Sequence, residues 1–153
     1  MKTGSARKYR WIVTGFTVAA LCTSAMAHSG AMGVVKKRMD AMSAIGKAMK
    51  SIAAMVKGDT RFEPVSLHAA AHTIRKHSGE NLTRLFPQGS TDTPSQAKLE
   101  IWQDWDNFAA MAERLNEQAV RLETLETILT PADFGKLAGT CKGCHERFRA
   151  RKS

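Results

Sequence analysis

The chain has 153 residues, 43% of them hydrophobic, and 23 basic against 14 acidic side chains give it a formal charge of +9 at neutral pH. That length suits one domain with one core. No Lys/Arg tract interleaves with aromatics, which argues against nucleic acid as a partner, and no carboxylate pair or Ser/His/Asp set suggests an enzyme.

The first segment reads as an export signal. Lys2, Arg7, Lys8 and Arg10 form a basic start, residues 11–22 are mostly apolar, and Ala25-Met26-Ala27 supplies the small-x-small cleavage pattern. The apolar run is shorter than the roughly 20 residues that span a bilayer, so stable membrane insertion is not expected. Leu21 before Cys22 disfavours a lipoprotein. Residues 1–27 are therefore expected to be a signal peptide and residues 28–153 the mature domain, located in a bacterial periplasm. The leader holds four of the 23 basic residues and no acidic one, so the remainder carries a formal +5. Such an excess suits redox partner proteins with acidic surfaces. His28 would become the new N-terminus, which raises a copper-brace idea, but no second histidine is placed to complete it.

Four helical segments follow, and no strand pattern competes with them. The first covers about residues 30–57 and stops at Lys57-Gly58-Asp59. Val35, Met42, Met49 and Val56 repeat every seven residues, with Ile45 and Ile52 between them. The second is expected as one helix over residues 64–86, with Pro64 in its first turn, Val65, Ile74, Leu82 and Leu85 holding it, and Pro87-Gln88-Gly89-Ser90 ending it. The third is expected to open at the box Thr93-Pro94-Ser95-Gln96, with Ile101, Phe108, Leu115 and Leu122 on its seam. The fourth opens with Thr130-Pro131-Ala132-Asp133 and runs to about Arg149. Short connections and seam-like apolar faces predict an all-α, antiparallel four-helix bundle.

Once Cys22 is removed with the leader, the remaining cysteines fall in Cys141-Lys142-Gly143-Cys144-His145. Phe134, Leu137, Ala138, Cys141, Cys144, His145 and Phe148 share one helix face, so both thiols and the imidazole point into the bundle. A disulfide, a dithiol redox pair and a zinc site are alternatives. The redox pair would normally accompany βαβ units, and zinc a fourth ligand. C-x-x-C-H is also the attachment signature of haem c, one covalent group per chain with its iron bound by His145. That places the cofactor near the C-terminus.

Only eight residues follow His145, none of them methionine, so a methionine second ligand would have to come from upstream. Arg38 falls on the buried seam of the first helix, where an arginine is costly unless paired. A haem propionate would pair with it. Met42 lies one turn further on the same face and is the candidate second iron ligand; the alternative is a core methionine beside the cofactor.

These features resemble the class II c-type cytochromes, the cytochrome c′ and cytochrome c-556 family, over essentially the whole mature chain. The resemblance rests on Arg38-x-x-x-Met42, Leu85-Phe86-Pro87-Gln88-Gly89-Ser90, Ile101-Trp102-x-x-Trp105-x-x-Phe108, and the C-terminal C-x-x-C-H followed by Phe148-Arg149. It implies that Arg149 lies near the axial imidazole. In cytochrome c′ the residue matching Met42 typically leaves the iron five-coordinate and high-spin; in the c-556 branch it is a methionine ligand. Where the family often has tyrosine before the first-helix arginine, this chain has Lys37.

The remaining residues carry milder readings. His68 and His72 share a helix face, but no neighbouring ligand completes a metal set. Trp102 and Trp105 are expected in haem packing or between helices. The expectation is a periplasmic electron carrier with His145 and Met42 on the iron, as a monomer or homodimer. The alternative is a high-spin protein that binds or buffers nitric oxide or carbon monoxide.

Overall fold

The computed structural model describes residues 25–91 and 95–151, with side chains from residue 33 onward. The expected leader lies outside these residues except for its last three, as do Thr93 and Pro94 of the box expected to open the third helix. The described chain is all-α: α1 (Ala25–Lys57), α2 (Pro64–Lys76), α3 (Gly79–Thr83), α4 (Glu100–Gln103), α5 (Trp105–Glu123) and α6 (Pro131–Phe148). The four long helices form the bundle: α1 packs on α2, α2 on α5, α5 on α6, and α6 closes back on α1.

Local chemistry explains the helix ends. Beyond α1, Gly58 adopts φ +77°, its N–H donates to the Met55 carbonyl at 3.2 Å, and Asp59 N–H reaches the Ala54 carbonyl at 2.9 Å. This is a Schellman stop, in which glycine takes the left-handed position that satisfies the last carbonyls. α6 begins on a capping box: Thr130 Oγ1 accepts from Asp133 N–H at 3.2 Å, and Thr130 N–H donates to Asp133 Oδ2 at 3.2 Å.

The second helix is not continuous. It breaks at His77-Ser78, and the chain re-enters helix at Gly79 with φ +56°. A Cβ on Gly79 would stand 2.8 Å from Glu113 Oε2 and 3.4 Å from Asn116 Cβ, so the break lets the backbone press against α5. Val65 does not hold α2; it is 81% exposed, and Leu67, Ala70, Ala71 and Ile74 form the buried stripe.

The third helix opens later than expected. Residues 95–98 are not helical; Ala97 forms an isolated antiparallel bridge with Arg149. Pairing with the end of α6 satisfies backbone groups that a local helix would otherwise have used. Asp104, with φ −133°, then separates α4 from α5. The heptad itself holds: Ile101, Phe108, Leu115 and Leu122 are all buried.

The interior divides in two. One apolar cluster, including Ile45, Ile52, Leu67, Ile74, Leu115, Ala119, Leu122 and Leu137, fills one end of the bundle. The other gathers Leu82, Phe86, Ile101, Phe108, Ala112 and Phe148. Met42 touches both clusters, Cys141 packs on the first and Cys144 on the second.

Candidate functional site

At the junction of these clusters is a cavity of about 570 Å³, lined from α1 by Met42, Ser43, Ile45 and Met49, from α5 by Met111 and Leu115, from α6 by Thr140, Cys141, Cys144 and His145, and by Arg149 just beyond its end. A smaller cavity of about 100 Å³ adjoins it and adds Arg38, Phe86, Gln96 and Phe148 to the shared residues Met42, Cys144, His145 and Arg149. The helical spacing of the motif produces this convergence, because positions three and four apart on α6 face the same way.

Both cysteines are free thiols in the structure, which disfavours a disulfide between them. Burial raises the Cys141 thiol. Burial, and after it the nearby Cys141, pushes Cys144 up to about 11. Both are therefore protonated at neutral pH. His145 is held below the usual imidazole value, first by partial burial and then by the Arg149 charge. A neutral imidazole keeps a lone pair for a metal.

Arg38 is 4% exposed. Its Nη2 donates to the Ser90 carbonyl at 2.5 Å and to Ser90 Oγ at 3.0 Å, while the guanidinium lies 4.4 Å from the Phe86 ring centroid. The turn that places Ser90 follows from its sequence. Gly89 supplies φ +75°, and Ser90 N–H closes onto the Pro87 carbonyl at 3.2 Å. Pro87-Gln88-Gly89-Ser90 thus ends a helix and also anchors the buried arginine.

The structure brings Cys141, Cys144, His145, Met42 and Arg149 to one cavity and Arg38 to its smaller neighbour. Met39 lies off the seam, 47% exposed. Met111 was missed, although its spacing from Phe108 and Leu115 puts it on the buried face of α5. Ser90 and Gln96 were missed as partners because each lies more than 50 residues from the arginine it meets. Neither tryptophan lines the two cavities. Trp105 is 39% exposed, and Trp102 Nε1 donates to the Phe86 carbonyl at 3.0 Å, so Trp102 ties two elements together. His68 bonds the Leu125 carbonyl at 3.0 Å and His72 bonds Glu123 Oε1 at 2.8 Å. Among the described residues no group of three or more His, Cys, Asp or Glu side chains could hold a metal ion.

The site fits a covalently held haem. Its walls are apolar enough for a macrocycle, its size is that of a cofactor pocket, two unpaired thiols face it three residues apart, and a buried guanidinium stands at one edge. A four-helix bundle built around such a site is a c-type cytochrome.

The family comparison makes the class specific. The model of the family described as Cytochrome C' matches residues 33–149, and the chain belongs to that family. Its cofactor is covalent haem c with iron, whose attachment motif Cys141 and Cys144 fit. A cytochrome c′ of Pararhodospirillum photometricum is 36% identical over 121 residues, covering 75% of this chain and 94% of the relative. A cytochrome c-556 of Agrobacterium fabrum is 32% identical over 149 residues, covering 95% and 98%. The solved structure of cytochrome c′ from Rhodopseudomonas palustris superposes with a TM-score of 0.70 at 33% identity, covering 78% of this chain and 98% of that one.

Proposed function

We propose that residues 1–27 are a cleaved export signal and that residues 28–153 form a periplasmic one-haem cytochrome that binds small neutral gases. Cys141 and Cys144 carry the thioether links, His145 is the axial ligand, and Arg38 holds a propionate. Arg149 stands beside the axial imidazole, and Met42 packs over the opposite face without taking the iron. When bound, the haem supplies an iron with an open coordination position. The observation that carries this reading is the apolar wall formed by Met42, Ile45, Met49, Leu82, Met111 and Leu115 across from α6, where the exposed Ser43 at the cavity edge is the one side-chain donor. Water or an anion would lose hydrogen bonds on entering such a pocket, whereas a neutral diatomic loses almost none. The family description and the Rhodopseudomonas and Pararhodospirillum relatives named cytochrome c′ support the same ordering.

The low-spin electron carrier expected from the sequence becomes the second reading. It is favoured by the position of Met42, which lines both cavities, and by the cytochrome c-556 relative that aligns over nearly the whole chain. In either case the redox partner is proposed to be an acidic protein. Visible and near-infrared spectra of the ferric and ferrous protein test the choice. A high-spin ferric spectrum and ready uptake of carbon monoxide are expected, with faster uptake in Met42→Ala because the pocket opens. A low-spin ferric spectrum with the weak sulfur-to-iron band, abolished in Met42→Ala, would make Met42 a ligand and the protein a carrier.

A further inference from the structure

Arg149 is held from two directions. Its backbone N–H donates to the His145 carbonyl at 3.1 Å, and its Nε donates to Gln96 Oε1 at 2.8 Å. Gln96 is itself fixed by the bridge described above: its carbonyl accepts from Ala150 N–H at 2.8 Å, and Lys98 N–H donates to the Phe148 carbonyl at 3.0 Å. Gln96 is half-buried, whereas Arg149 is exposed. Without an acceptor, a guanidinium on a long flexible stem would disperse through solvent and its charge would be screened.

The position at which it is held matters. Besides the two cavities of the site, a third of about 460 Å³ opens beside Lys142, Glu146 and Arg151, and His145 and Arg149 line all three. The guanidinium is therefore kept on the same cavities as the imidazole, near enough for its charge to act on the ring. An amide oxygen can orient this cation without cancelling it, which a carboxylate would do.

We infer that Gln96 is a positioning residue that holds the Arg149 guanidinium beside the axial imidazole and so biases the iron toward its ferrous state. This rests on the proposed role of His145. The physical basis is that a fixed positive charge near the ligand weakens imidazole donation and favours the state with one more electron. Gln96 acts through Arg149 and touches no reacting atom.

The test is a redox titration of the holoprotein, with the ferrous iron–imidazole stretching band read by resonance Raman. Gln96→Met keeps the backbone bridge and removes only the side-chain acceptor. It is expected to lower the potential part of the way toward that of Arg149→Leu and to move the band. Arg149→Lys, which keeps a charge but lacks Nε, is expected to behave like Gln96→Met. In the Arg149→Leu background Gln96→Met should shift neither quantity further. Thermal unfolding of each variant reports the fold separately. An unchanged potential and band in Gln96→Met, or an equal shift when Arg149 is already leucine, overturns the inference. A five-coordinate ferrous wild-type protein without the iron–imidazole band removes the role of His145 and this inference with it; a six-coordinate protein with Met42 bound shows no such band, and there the potential alone decides.

Discussion

Replacing Arg38 with methionine probes the one buried charged side chain among the described residues. Methionine keeps an apolar stem of similar reach, so the change deletes charge and hydrogen bonding with little loss of volume. Two contributions can be worked from the geometry. The charge-assisted bonds from Nη2 to Ser90, at 2.5 and 3.0 Å, are worth about 1.5–3 kcal/mol. The guanidinium over the Phe86 ring adds about 0.5–2 kcal/mol. Part of this is offset because a charge no longer has to be desolvated, leaving an expected loss of about 2–4 kcal/mol. For a domain of this size that lowers the midpoint of thermal unfolding by roughly 10 °C. Urea unfolding of the holoprotein, followed by far-ultraviolet circular dichroism and by the Soret band, measures it. A change below about 0.5 kcal/mol in both signals would place Arg38 in an environment as wet as the surface and refute the reasoning.

Covalent attachment predicts that acid-acetone extraction leaves the colour on the polypeptide, and that Cys141→Ser or Cys144→Ser each removes one link and lowers the yield of coloured protein; colour extracted from the unaltered chain would defeat this. Asp133 has its carboxyl held below the usual value, chiefly by the Thr130 side chain and then by the Thr130 backbone N–H. Its contribution is therefore fully present above the unfolded carboxylate value and is lost as pH falls through the lower, folded one. Thr130→Ala should cost about 1 kcal/mol at neutral pH and less in acid, as read by urea titrations at several pH values. Gly79→Ala should destabilise by about 1–2 kcal/mol, because alanine resists the left-handed backbone and its methyl meets Glu113. An unchanged urea midpoint would show that the segment re-forms without the break.

What was legible in the sequence and what was not divides by range of interaction. The Thr130–Asp133 box, the glycine stop at Gly58 and the seam of Ile45, Ile52, Phe108 and Leu122 are local patterns, and each appears as read. The one-sided face of Cys141, Cys144 and His145 follows from helical spacing alone, and so does the burial of Arg38. The errors come from distant partners. The third helix was placed too early because the bonds of residues 95–98 go to a segment some 50 residues away. The break at Ser78-Gly79 brings the backbone to where a side chain would meet Glu113 and Asn116 of another helix, a long-range fit, although the Ser-Gly pair was itself a visible turn signal. Trp105 looked interior because it sits between seam positions, yet its ring only leans on Phe108, with centroids 5.6 Å apart.

The division of the interior bears on how the molecule holds together as a whole. α5 runs through both apolar clusters, Phe108 and Ala112 belonging to one, Leu115, Ala119 and Leu122 to the other. Where the cavity opens between them, side chains make fewer of the contacts that couple two halves of a core into one cooperative unit. Met42 reaches both sides, while Cys141 and Cys144 each reach one. A rigid planar group bonded to those two sulfurs would therefore join the two clusters. With it in place the bundle is expected to melt as one body. Loss of either sulfur would weaken that linkage as well as the bond to the cofactor, and the two ends would begin to unfold on separate schedules.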